Sequence, residues 1–155
     1  MMSPRSITFQ IQTGRLKCCL ILCGFLISSL VRGQGEVREL NTEEIAVLFA
    51  DVVDRAEVID AVGVQAETLW YASGHFETRW WSSNREGRVT GRWMARDSKR
   101  CVLISEPVPA SAPGWRCGKI LRESGGVYRS LNPDDSTHGL HQLSALPAEL
   151  KPSLP

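Results

Sequence analysis

Arg100-Cys-Val-Leu-Ile104 and, after a proline-rich interval from Glu106 to Gly114, Trp115-Arg-Cys-Gly-Lys-Ile120 are two runs of strand-forming residues that each carry one cysteine. β-Branched and aromatic residues bounded by Pro and Gly read as strands, and the interval between them as a hairpin loop. Pairing residues whose numbers add to 218 sets Ile104 opposite Gly114, Leu103 opposite Trp115 and Cys101 opposite Cys117. Opposed residues of an antiparallel pair stand about 4.5–5.5 Å apart at Cβ, near the separation a bridge needs. The spacing therefore predicts a disulfide Cys101–Cys117 pinning one hairpin; the alternative is two free buried thiols.

Outward from this hairpin the same texture continues. Strand formers cluster over residues 68–72, 76–81, 88–95, 101–104, 115–121, 127–131 and 139–143, separated by Ser73-Gly74, Ser82-Ser83-Asn84, Asp97-Ser98, Gly125-Gly126 and Asn132-Pro133-Asp134-Asp135. Six or seven short strands at this spacing predict an antiparallel meander that curls as a sheet or closes as a small barrel. Upstream, Asn41-Thr-Glu-Glu44 has the form of a capping box, with Leu40 and Ile45 placed as a hydrophobic staple. Ile45, Leu48, Phe49 and Val52 then follow at helical spacing. The expected fold is α+β and mainly β, with this N-terminal helix covering the sheet.

The N-terminus reads as an export signal. Residues 1–33 hold Arg5, Arg15, Lys17 and Arg32 with no acidic residue, and Cys18 to Val31 is a continuous run of apolar and small residues. At 14 residues that run is shorter than the roughly 20 that span a bilayer, which favours a cleaved signal over an anchor. Cys18, Cys19 and Cys23 fall inside it and count as small hydrophobes, not as a metal cluster. Removing 1–33 takes four of 18 basic residues and none of 17 acidic ones, leaving 122 residues of formal charge −3. The expected organisation is a signal peptide over 1–33, one β-rich domain over 36–145 and a disordered tail over 146–155, in a periplasmic or secreted protein.

Chemistry is less legible than architecture. The five tryptophans, Trp70, Trp80, Trp81, Trp93 and Trp115, all fall in predicted strands, and alternation sends Trp80 and Trp81 to opposite faces. Between Arg79 and Arg100 seven basic residues stand against two acidic ones, and Arg88 and Arg92 share one strand face. Arg79, Trp80, Trp81, Arg88 and Arg92 are therefore the candidate binding surface, facing an anionic envelope component or a protein, with core packing and solvated charge as the plainer alternatives. His138 and His141 lie three apart, on opposite faces of a strand, without a third ligand at a metal-site spacing. Ser73-Gly74-His75 lacks the context of a nucleophile elbow, and Asp134-Asp135 reads as a turn. No catalytic residue, cofactor or metal is expected, and no nucleic acid; membrane contact is expected only through an uncleaved signal.

The chain resembles a loose class of small exported proteobacterial β-rich proteins of unknown function. Leu40-Asn-Thr-Glu-Glu-Ile-Ala-Val-Leu-Phe49 matches the early helix of that class, and Gly91-Arg-Trp93 with Cys101 and Cys117 matches its Gly-x-Trp strand and cysteine pair. It departs in having Cys117-Gly118 where the class often carries Cys-Tyr. The resemblance implies fold and compartment and no activity. The sequence thus points to a non-enzymatic partner- or envelope-binding domain; the alternative is a small β-barrel carrying an apolar or amphipathic ligand.

Overall fold

A computed structural model describes residues 36–107 and 114–151. The expected signal segment, with its three cysteines, and residues 108–113 of the proline-rich interval lie outside the described residues.

Asp51 marks the first departure from the sequence pattern. The apolar stripe extends through Val52, but Asp51 takes a positive φ of 54° and its carboxylate accepts from the Ala72 amide at 2.9 Å. Helix α1 (Thr42–Leu48) has therefore ended, and Val52 begins a strand. Asn41 accepts the Glu44 amide and Glu44 reaches back to the Asn41 amide, so the capping box is complete.

The helix is only seven residues long, too short to cover a sheet. The expected N-terminal helix over a sheet face is corrected: α1 sits between two strands in the chain, inserts Ile45 and the following Phe49 into the core, and meets β5 (Glu86–Arg96) and β6 (Lys99–Glu106). The sheet buries its apolar face mainly by curling.

Ten strands replace the six or seven expected. Besides β5 and β6 they are β1 (Arg38–Glu39), β2 (Val52–Val58), β3 (Val64–Trp70), β4 (His75–Trp81), β7 (Arg116–Gly118), β8 (Ile120–Arg122), β9 (Val127–Leu131) and β10 (Thr137–Ala145). They form one antiparallel sheet in the order β1-β8-β9-β10-β2-β3-β4-β5-β6-β7. Two strands were hidden from the pattern: β1 is two residues long, and the start of β2 mimics helical spacing. The third addition comes from the break of 115–121 at Lys119.

That break matters for the shape. β7 pairs with β6, with Cys101 directly opposite Cys117, whereas β8, one residue further on, lies between β9 and β1. Leu131 N donates to Lys119 O at 3.0 Å. Opposite margins of the curled sheet therefore meet on one short segment. The disulfide has an S–S distance of 2.03 Å and Cα atoms 4.0 Å apart, and it is consistent with an oxidising compartment.

Alternation sorts the strands into an inner and an outer face, with register shifts at Thr90/Gly91 and Thr137/Gly139. Inward residues include Val52, Asp54, Trp70, Phe76, Trp93, Val102, Ile120, Tyr128 and His141, joined by Phe49 from the end of α1. Trp70 and Trp93 meet edge to face with centroids 5.9 Å apart, and Phe49 meets Trp70 the same way at 5.6 Å. At the start of the expected tail Leu146 is buried against Val53 and Tyr71 and its amide donates to Asp51 O; an exposed 3-10 turn follows at Ala148–Leu150.

Candidate functional site

Polar groups occupy the centre of the curled sheet, where hydrophobic residues alone would suffice for stability. β2 brings in Asp54, β6 Arg100, β9 Ser130 and β10 His141. Exposure of Asp54, Ser130 and His141 is 1, 3 and 4%. His141 Nδ1 lies 2.9 Å from Asp54 Oδ2, and His141 Nε2 lies 2.7 Å from Ser130 Oγ. Trp70 Nε1 donates to the same Asp54 oxygen at 3.0 Å.

The proton positions follow from these partners. Burial opposes charge on Asp54, but attraction and hydrogen bonding from His141, the Arg100 charge and the Trp70 donor hold its carboxyl below its ordinary pKa. An ionised carboxylate only accepts, so His141 carries its proton on Nδ1 and donates it to Asp54. Burial also pushes the His141 pKa down against the pull of Asp54, which keeps the ring neutral and leaves Nε2 with a lone pair. Ser130 must then be the donor in its bond to Nε2.

Arg100 balances Asp54. Its guanidinium lies between the Phe49 and Trp70 rings, 4.6 Å from each centroid, and its Nη1 is 3.7 Å from Asp54 Oδ2. That distance is an ion pair and too long for a hydrogen bond. Nη1 has no hydrogen-bond partner among the described residues, although the side chain is only 10% exposed. An unsatisfied buried donor costs about 1–3 kcal/mol, more when charged, so it marks a place where another acceptor would be favourable.

A cavity of about 220 Å³ opens beside this cluster. Arg100 and Ser130 line it together with Ile104, Ile120 and Leu131, and Arg116 also contributes. On the same wall, His138 Nδ1 and Asn132 Nδ2 each lie 2.9 Å from Asp60 Oδ2. Asp54 and His141 do not reach the cavity wall.

The residues expected to bind fall elsewhere: four of them share the outer face of the sheet and Trp80 does not. Arg79 and Arg88 stand opposite each other on the outer face, with Arg79 bonded to Glu86 at 3.0 Å, and Arg92 stands opposite His75. Trp81 is also outward, in a groove with Gln65, Glu67 and Leu140. Trp80 points inward over Gly87, apart from the other four. Trp115, expected within a strand, precedes β7 and is exposed.

Sequence reasoning missed Asp54, Arg100, Ser130 and His141. The available signal was strand parity: once Val52–Val58 is a strand, Asp54 shares a face with Val52, and His141 shares one with Leu143. Compared with known proteins, the chain matches no family model, no curated protein and no solved structure.

Proposed function

We propose that the protein is a small β-barrel that binds a compact amphipathic ligand with an anionic head. The carrying observation is the buried Arg100 on the wall of a cavity, its Nη1 without a hydrogen-bond acceptor among the described residues. A carboxylate in the cavity would meet the Arg100 charge, while Ile104, Ile120 and Leu131 receive the apolar part. The cavity is smaller than the roughly 300–1,000 Å³ of sites for drug-sized molecules, which favours a short-chain acid. The disulfide, the basic and apolar run before residue 34 and the resemblance to exported proteins support a periplasmic or secreted carrier.

Hexanoate and hexanol, titrated against tryptophan fluorescence, test this reading. Saturable binding of hexanoate at least tenfold tighter than hexanol is expected. The preference should be lost in Arg100→Met/Asp54→Asn, which removes both buried charges together. Equal binding of acid and alcohol, or saturation by neither, overturns the assignment.

A second reading rests on the outer face. Directly opposed like charges such as Arg79 and Arg88 are unfavourable across a strand pair, and an anionic partner would relieve them. This is the envelope- or protein-binding domain expected from the sequence, without Trp80. Arg88→Glu/Arg92→Glu should then lose partners that the unaltered protein recovers from envelope extract; equal recovery by both forms removes this reading.

A further inference from the structure

Ser130, His141 and Asp54 are joined in an order that packing alone does not require. Asp54 accepts from Trp70, His141 bridges Asp54 and Ser130, and of the three only Ser130 lines the cavity. A carboxylate on Nδ1 and a hydroxyl on Nε2 of one imidazole is the arrangement that turns a serine into a nucleophile. Arg100 lines the same space, and its positive charge can answer negative charge developing on a bound carbonyl.

We propose that Ser130 is an acyl-accepting nucleophile for short-chain carboxylic esters, with His141 as its general base and Asp54 as the positioning residue that fixes the imidazole. This rests on the reading of the cavity as an amphipathic-ligand site and adds a reaction to it. Ser130 Oγ attacks the ester carbonyl carbon while its proton passes to His141 Nε2. The carbonyl electron pair moves onto oxygen, and the Arg100 charge balances it. When the pair returns, the bond to the alcohol oxygen breaks, and the leaving oxygen takes the proton from His141. Alcohol departs and acyl-Ser130 remains. Water then adds to the acyl carbon, giving one proton to His141 Nε2. Collapse breaks the bond to Ser130 Oγ, which recovers that proton, and the acid ionises to a carboxylate of the kind Arg100 would hold.

The full chain is treated with p-nitrophenyl hexanoate, and separately with phenylmethylsulfonyl fluoride, whose sulfur–fluorine bond breaks as the serine oxygen is sulfonylated. Nitrophenol release is expected, together with one sulfonyl adduct that fragment mapping places on Ser130, the first residue of the tryptic peptide that follows Arg129. Ser130→Ala should abolish the adduct there, and His141→Gln should slow nitrophenol release by roughly 10²- to 10⁴-fold, the range for loss of a general base. Asp54→Asn should change the pH profile of release as well as its rate, because an amide can hold the imidazole in the wrong tautomer. Mapping in the unaltered protein stands even if a variant fails to fold. Hexanoate binding without turnover or a Ser130 adduct overturns this inference and leaves the carrier reading intact. Turnover with an adduct at Ser130 but no hexanoate binding supports the relay and removes the carrier reading. An adduct at Ser136 or Ser144 in place of Ser130 overturns the assignment of the nucleophile.

Discussion

Gly118 faces the Leu131 carbonyl so closely that a Cβ on Gly118 would lie 1.8 Å from that oxygen. β7 and β9 are thereby drawn together at the point where the segment through Lys119 changes partners. Glycine at position 118 suits this contact because it places no Cβ there. The Gly118→Ala variant is expected to lose at least about 1–3 kcal/mol, the usual cost of overpacking. Urea unfolding reads this directly, and an unchanged midpoint would mean that the Leu131 backbone yields without cost.

The bridge at the neighbouring Cys117 acts on the unfolded chain. Cys101 and Cys117 are separated by 16 positions, and the chain-entropy model gives about 3 kcal/mol for a loop of that size. Cys101→Ala/Cys117→Ala should therefore lower the unfolding free energy by about that amount while preserving the β-rich far-ultraviolet spectrum. Retained stability would place the bridge outside the cooperative unit.

Arg100 and Asp54 answer each other's charge in the core. Removing one leaves an uncompensated buried ion, so Asp54→Leu should cost about 3–5 kcal/mol. Arg100→Met/Asp54→Asn should recover much of the loss. A double variant no more stable than Asp54→Leu would show that the two charges are not coupled.

Acid should weaken the fold in two stages. His141 has a folded-state pKa below its ordinary 6.5, so its contribution is present above 6.5 and is lost as pH falls below that value and the unfolded state takes up the proton. Asp54, also depressed, adds a loss that begins below about its ordinary 3.8. Thermal midpoints measured from pH 8 to pH 4 should fall below pH 6.5, and His141→Gln should flatten that first stage. A curve of equal slope for both proteins between pH 6.5 and 5 would assign the loss to another group.

Much of the fold is readable in the sequence because short-range rules carry it. Cys101 opposite Cys117 follows from hairpin arithmetic, and Asn41 with Glu44 from the geometry of a helix start. β2 was not readable: Val52 satisfies the helical stripe, and only the positive φ of Asp51, stabilised by the distant Ala72 amide, shows that the helix has stopped. The break at Lys119 was hidden for the same reason, since it depends on β6 and β9 arriving from opposite sides.

The candidate site was less legible still. Asp54, Arg100, Ser130 and His141 come from four strands, and none carries a local motif. His141 is 87 residues from Asp54 in the chain but 2.9 Å from it in space. By itself the sequence determined the alternation of strands, the helix cap and the pairing of the two cysteines, because each depends on neighbours a few residues away or on one hairpin. Only the tertiary structure decided which inward positions meet, since curling the sheet superimposes residues with no sequence relation. That superposition, and not any local pattern, left a charged guanidinium and a hydrogen-bonded serine beside one cavity.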